Sequence, residues 1–399
     1  MNYINVKSEI GNLKTIMLHR PGDELLNLTP DLLEELLFDD IPDLEKAKKE
    51  HDLFANYLKE NGVTVLYLSD LMKETLDVSE EIRNKFIEQF LNEADIEEYN
   101  RDILYDYLNQ FDNKNLVLKS MAGITIKEIS DYNSSYEAKE REFPLAIYPM
   151  PNLYFTRDSF SNVGNSISIN KMFTTTRIRE TIYGEYIFSY HPNYKNTEKV
   201  FSRYENFNIE GGDILVISDE LLIIGISQRT SFDAIKKLAS NIYTSKDNKY
   251  KNILAINIPD KRTFMHLDTV FTQVDYNAFV IHPEILKTLK IYDIKNINGE
   301  VFEEYLGTDL VSILSKYMNK DIELIYCGGD DMVSSQREQW SDGANTLAIA
   351  PKKLVVYKRN RITNEILKSK GYELIELDAD NLGVGRGGPR CMSMPFYRE

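Results

Sequence analysis

Apolar residues reach this chain in short runs, and most runs come in pairs. "DILVISDELLIIGIS" (213–227) is two apolar stretches around "SDE", which predicts a β-hairpin. A helical pattern follows from Thr230 ("TSFDAIKKLASNIY"), then a single apolar strand, "NILAINIP" (252–259). The order returns. "TVFTQVDYNAFVIHP" (269–283) reads as a hairpin, a helix is expected from near Pro283, and "DIELIYC" closes the unit as a strand. "NTLAIAPKKLVVYKRN" (345–360) is a third hairpin, followed by a helix over 361–370 and the strand "YELIELD" (372–378). "SFSNVGNSISINKMF" (159–173) supplies a fourth, with the turn "NVGN". One hairpin–helix–strand copy is too small to bury its own faces, so the copies must pack together around an axis.

The opening segment fits the set: "LKTIMLH" (13–19) and "GVTVLYL" (62–68) read as strands, and residues 29–60 are helical in pattern. Residues 70–142 break the rhythm. Ser79 is placed to cap a helix in which Ile82, Phe86, Ile87, Phe90 and Leu91 recur at helical spacing, and the stretch holds no proline. It reads as a helical insertion. The prolines of "EFPLAIYPMPN" then force extended chain. The expected organisation is an α/β body over 1–69 and 143–399 with a helical insertion over 70–142.

Composition adds limits. Apolar residues at 42% and charged residues at 28% of 399 describe a soluble globular protein. A formal charge of −16 argues against nucleic acid or an anionic membrane as partner and suits a cationic ligand. No apolar run approaches the roughly 20 residues of a membrane helix. The start lacks the basic-then-apolar pattern of a signal peptide. Two cysteines make no disulfide framework and show no zinc spacing. A cytoplasmic setting, with neither metal nor cofactor, is expected.

The chemistry sits just before the hairpins. "NLYFTRD" (152–158), "NIEGGD" (208–213), "MHLDT" (265–269) and "QWSDGAN" (339–345) each precede one, so they fall at equivalent ends of the repeated units. Asp158, Glu210, Asp213, His266 and Asp268 can therefore converge. Cys391, on the glycine-rich "GRGGPRCMSMP", can join them. A thiolate attacks trigonal carbon, an imidazole moves protons near neutral pH, and carboxylates pair with a planar cation. The set suggests attack on the central carbon of a guanidinium. Each residue also has a plain structural reading: a lone cysteine is commonly a small buried hydrophobe, and Asp213 equally well braces its turn. Cys327, after an apolar strand, fits the packing role better, as do His19, His51, His191 and His282.

In this order, "FTRD", "EGGD", "HLDT", "REQWSDGANTL" and "GRGGPRCMSMP" resemble the bacterial arginine deiminase family over nearly the whole chain. The resemblance implies a five-bladed pseudo-symmetric α/β propeller of ββαβ units, the pentein fold. It implies free L-arginine as substrate, citrulline and ammonia as products, and a homodimer. Cys391 would be the nucleophile and His266 the proton carrier. Asp158 and Asp268 would grip the guanidinium, and Glu210 would hold His266. Asn152, Arg177, Arg229 and Arg386 would hold the substrate carboxylate, with Arg179 an alternative to Arg177 and Arg386 a gate. Converging carboxylates further predict a poorly ordered or open loop over the site when no cation is bound. Agmatine deimination, amidinotransfer, a metallohydrolase on His266, Asp268, Asp213 and Glu210, and a non-catalytic binding protein are the rival readings.

Overall fold

Five strand pairs, each extended by a third strand, organise the chain in a computed structural model that describes residues 3–138, 144–246 and 250–399. Phe160–Val163 pairs antiparallel with Ser166–Ile169, which pairs parallel with Glu198–Phe201 after the helix Thr181–Tyr190. The pattern repeats in Ile214–Val216, Leu221–Ile226 and Asn252–Asn257, with the helix Phe232–Thr244 between the last two. It repeats again in Phe271–Asp275, Ala278–Ile281 and Glu323–Tyr326, and in Leu347–Ala350, Lys353–Tyr357 and Glu373–Leu377. The fifth sheet uses both ends of the chain. Met394–Arg398 pairs antiparallel with Leu13–Leu18, which pairs parallel with Thr64–Tyr67. Parallel pairing needs a crossover, and a helix supplies it each time. The architecture is mixed α/β.

Two local expectations are corrected. The helical pattern over 29–60 yields only a short 3-10 turn at Pro30–Leu32 and the α-helix Leu44–Glu60. Leu37 takes a positive φ of 63°, and Pro42 pushes Ile41 out of helical geometry. Asp43 then starts the helix, its side chain accepting from Lys46 N. Near Pro283 the chain makes a 3-10 turn, Pro283–Lys287, and the crossover helix comes later, at Leu310–Met318. Between them Lys290–Ile297 and Glu300–Gly307 form a hairpin that widens the neighbouring sheet to five strands. Its turn is Asn298-Gly299, both at positive φ, the strongest short hairpin signal a sequence offers.

Helices Leu68–Leu76, Glu80–Glu93, Arg101–Asn109, Asn113–Ala122 and Ile126–Tyr132 occupy the stretch expected as an insertion, whose residues 139–142 lie outside those described. Ser79 accepts from Ile82 N at the start of the second. Phe86, Phe90, Leu104 and Met121 share one apolar cluster with Phe160, Tyr183, Ile187 and Phe396. These helices therefore pack on the first and fifth sheets. Their shared burial stabilises both, at about 25 cal/mol per Å² of apolar area removed from water.

Candidate active site

Each sheet carries its chemistry immediately before its first strand. Asp158 lies in the turn Thr156–Ser159, Glu210 caps the 3-10 turn Gly211–Asp213, and His266 caps Leu267–Thr269, which holds Asp268. Asn345 and Cys391 precede the other two first strands. Close approach of these turns needs the glycines of "EGGD". A Cβ on Gly212 would lie 2.6 Å from the His266 ring, and one on Gly211 would overlap the Arg157 carbonyl oxygen.

The five predicted residues come together. His266 Nε2 is 2.8 Å from Glu210 Oε2, and its Nδ1 is 3.9 Å from Asp158 Oδ1. Cys391 Sγ lies 3.5 Å from Asp268 Oδ2 and accepts from Asn345 Nδ2 at 3.1 Å. Asn345 Oδ1 also accepts from Cys391 N at 3.0 Å, fixing the thiol's backbone. Asp158 Oδ1 and Asp268 Oδ1 are buried with no hydrogen-bond partner among the described residues. Two buried carboxylates, each with one oxygen lacking a hydrogen bond, leave the acceptor pattern that guanidinium N–H groups fill.

Electrostatics follows from this packing. Burial works against a charged His266, but Asp158, the Glu210 hydrogen bond and Asp213 outweigh it and lift its pKa to about 9. Burial raises Glu210, yet the His266 hydrogen bond, Arg229 and Arg177 take it down to about 2. Burial first, and then the Asp268 and Asp158 charges, hold the Cys391 thiol well above its ordinary value. At neutral pH the site thus holds an imidazolium and an un-ionised thiol.

The four residues expected to hold a carboxylate stand differently. Asn152, Arg177, Arg229 and Arg386 all line the pocket with Cys391. Arg177 is tied up: Nη1 donates to Asp158 Oδ2 at 2.9 Å, and Nη2 to Glu180 Oε2 at 2.8 Å. Arg179 faces elsewhere, donating to the Tyr148 carbonyl at 2.8 Å. Asn152 donates to the Leu36 carbonyl at 2.7 Å. Arg229 is the available cation. It is buried, its Nε and Nη1 have no hydrogen-bond partner among the described residues, and Glu210 Oε1 is 3.9 Å from its Nη1. Arg386 adopts φ 64° and lays its guanidinium 3.5 Å from the Trp340 ring centre.

The expectation of an open loop is corrected. Gly385–Cys391 is closed over a pocket of about 20 Å³, with Tyr357 Oη donating to Gly387 O at 2.7 Å. Asp213 turns out to be a brace: its Oδ1 accepts from Leu267 N and its Oδ2 from Ser227 Oγ. The other histidines lie apart from the pocket. His19 meets Glu24, His191 meets Glu74, His282 meets Ser335, and His51 packs on Phe54 and Tyr67.

Sequence reasoning missed several partners. Arg390 donates from Nη1 to Asp268 Oδ2 at 2.7 Å, and its Nε and Nη2 meet Glu9 at 3.0 and 3.1 Å. Glu180, three residues after Arg177 in "RIRE", had a readable i,i+3 spacing. Asn345 lay inside the quoted "QWSDGAN". Nothing local marks Glu9.

A thiol, an imidazolium and carboxylates carried by the ends of separate sheets define the fold and layout of the pentein class. Solved structures with this fold include an amidinotransferase from Microseira wollei, in the saxitoxin biosynthetic pathway, with a TM-score of 0.56 and 13% identity over 100% of this chain and 98% of that one. DDAH from Pseudomonas aeruginosa, a variant in complex with citrulline, gives 0.52 and 15% over 96% and 99%. The arginine deiminase family profile matches residues 34–398. Arginine deiminase of Treponema denticola is 52% identical over 100% of this chain and 99% of its own length, and that of Clostridium perfringens 50% over 99% and 98%. The chain belongs to the arginine deiminase family.

Proposed function

We propose that this protein hydrolyses the guanidino group of free L-arginine to L-citrulline and ammonia through a covalent intermediate on Cys391. The observation that carries the residue assignment is the pair of unpartnered oxygens, Asp158 Oδ1 and Asp268 Oδ1, beside one buried thiol and one imidazolium. The arginine cation neutralises these carboxylates, which cancels their share of what holds the thiol un-ionised and leaves only burial against the thiolate. The thiol gives its proton to solvent, from which it is regained after turnover, and the Cys391 thiolate adds to the guanidino carbon. His266 gives its proton to the departing nitrogen as the C–N bond breaks, leaving a cationic amidino-thioether. The now neutral His266 takes a proton from water as its oxygen bonds to the same carbon. Collapse expels the thiolate, and the protonated ureido product loses its proton, which ammonia takes up. Glu210 keeps His266 oriented and charged, and Arg229 meets the substrate carboxylate. The closed loop means that Arg386 must move for arginine to enter.

The five similar sheets support a five-bladed propeller, with the helices between Leu68 and Tyr132 as an insertion into it. A homodimer and a cytoplasmic setting belong to the same reading. Among the described residues no helix is long and apolar enough to cross a membrane. Asp158, Glu210 and His266 also bring ligand atoms within 4.8 Å of one another, as a metal site does. His266, held as an imidazolium by Asp158 and by its hydrogen bond with Glu210, has no free lone pair for a metal, which works against an ion there. The test is ammonia and citrulline release from arginine with Cys391→Ala beside the wild type. Thiol alkylation should abolish release and a chelator should not. The reverse pattern would overturn the thiol route. Equal turnover of agmatine, or release only with an added amine, would replace arginine hydrolysis by a rival reaction.

A further inference from the structure

The hairpins have two ends, and only one carries the site described above. At the other end the turns Ser218–Glu220 and Tyr276 meet the N-terminal segment 7–11 around a cleft of about 500 Å³. Gln273 lines it. This side chain is only 3% exposed, its Oε1 is buried with no partner, and it forms no side-chain hydrogen bond among the described residues. An unsatisfied buried amide is costly, so it calls for a partner that reaches in from the cleft. Lys7 and Asp219, on the rim, have no ion pair among the described residues, and Lys320 sits 4.9 Å over the Tyr276 ring.

A primary amide offers one acceptor and one donor side by side. Its complement is another group with the same pair, a carboxamide or a ureido group. A guanidinium carries donors only and satisfies half of it. Lys7 or Lys320 provides for a carboxylate and Asp219 for an ammonium. We propose that this cleft binds a free amino acid ending in a ureido or carboxamide group, citrulline above all, at a site separate from Cys391.

The site is wired to the chemistry. Lys7, Ser8, Ile10 and Gly11 line the cleft, while Glu9 between them turns inward. Glu9 accepts from Arg390 through both oxygens, and Arg390 donates to Asp268 Oδ2, the oxygen nearest Cys391 Sγ. A ligand that draws this segment toward the cleft loosens Glu9 from Arg390 and so misplaces Asp268. Citrulline in the cleft therefore lowers turnover, a product acting back on its own formation. That consequence rests on the arginine-hydrolysis reading; the binding does not.

The experiment measures ammonia release against arginine at several citrulline concentrations, in the wild type and in Gln273→Leu. Citrulline leaving the catalytic pocket last competes with arginine and raises KM alone. The proposal expects an added fall in kcat that saturating arginine does not relieve. Glutamine should reproduce that fall, and Gln273→Leu should lose it while keeping the KM effect. Lys320→Gln serves as a second variant and should weaken it. A purely competitive pattern in the wild type, or a kcat effect unchanged in both variants, overturns the proposal. Should the wild type release no ammonia, the hydrolysis reading fails, and calorimetric titration of citrulline still decides the site. Binding that weakens about tenfold or more in Gln273→Leu supports it, as loss of a buried hydrogen-bonded pair would. Equal binding, or none, overturns it.

Discussion

Cys327 and Cys391 are both buried, both follow or precede a strand end, and both have thiols held above their ordinary value. Their surroundings separate them. Cys327 sits in an apolar cluster with Val280, Leu354 and Leu367, takes a hydrogen bond from Thr363 Oγ1, and is pushed to about 12 chiefly by burial. Cys391 is raised by burial together with Asp268, Asp158 and Asp342, with Arg390 pulling the other way. Burial is permanent, whereas a carboxylate's effect is cancelled when a cation binds it. Only the second thiol can be switched on by a ligand. Neither burial nor a shifted pKa marks a nucleophile by itself; the sign and source of the neighbouring charge do.

The sharpest way to break this comparison is to delete each sulfur. Cys391→Ala should reduce ammonia release by about 10⁴-fold or more, as loss of a nucleophile does. Cys327→Ala should keep kcat and KM, and lose about 1–2 kcal/mol of stability in urea unfolding, from the small cavity left behind. Comparable loss of turnover in both would erase the distinction.

Asp268→Asn should separate reactivity from catalysis. Turnover should fall about 10²–10³-fold, because a charged group on the reacting cation is lost. The thiol should nevertheless be alkylated faster by iodoacetamide at pH 8, since one of the charges that raises its pKa is gone. Slower alkylation would show that Asp268 does not set the thiol's state. Arg229→Ala should act mainly on KM, lowering kcat/KM for arginine about 10²-fold by removing a buried charge partner, with agmatine turnover less affected. Equal losses on both substrates would take the carboxylate contact away from Arg229.

The smallest effects concern pH. His266 is raised from 6.5 to about 9. Its stabilising contribution is complete below about 6.5 and fades as pH rises through about 9. Stability and kcat/KM should both decline on that limb, and His266→Asn should flatten the stability part. Glu210 is lowered from 4.5 to about 2, so its contribution is complete above about 4.5 and fades as pH falls through about 2.

Much of the layout was legible because it rests on local rules. Paired apolar runs around short polar turns gave the hairpins over 213–227, 269–283 and 345–360. The helix expected near Pro283 gives way to the hairpin that the Asn298-Gly299 turn directs, and the helical pattern over 29–60 is broken by Leu37 at positive φ and by Pro42. The site was legible through the repeat: equivalent positions before each first strand fall at one end, so Asp158, Glu210, His266, Asp268 and Cys391 were nominated together.

The sequence by itself determined which residue types could do the chemistry and which end of each unit they would occupy, because strand alternation and turn chemistry act over a few residues. Tertiary structure alone decided how charge is shared. Arg177 is bound to Asp158 and Glu180 while Arg229 keeps only a long 3.9 Å contact with Glu210, and Arg390 reaches from Glu9 to Asp268 across hundreds of positions in the chain. Such pairing depends on distance and dielectric in the folded interior, and neither exists until distant segments have packed.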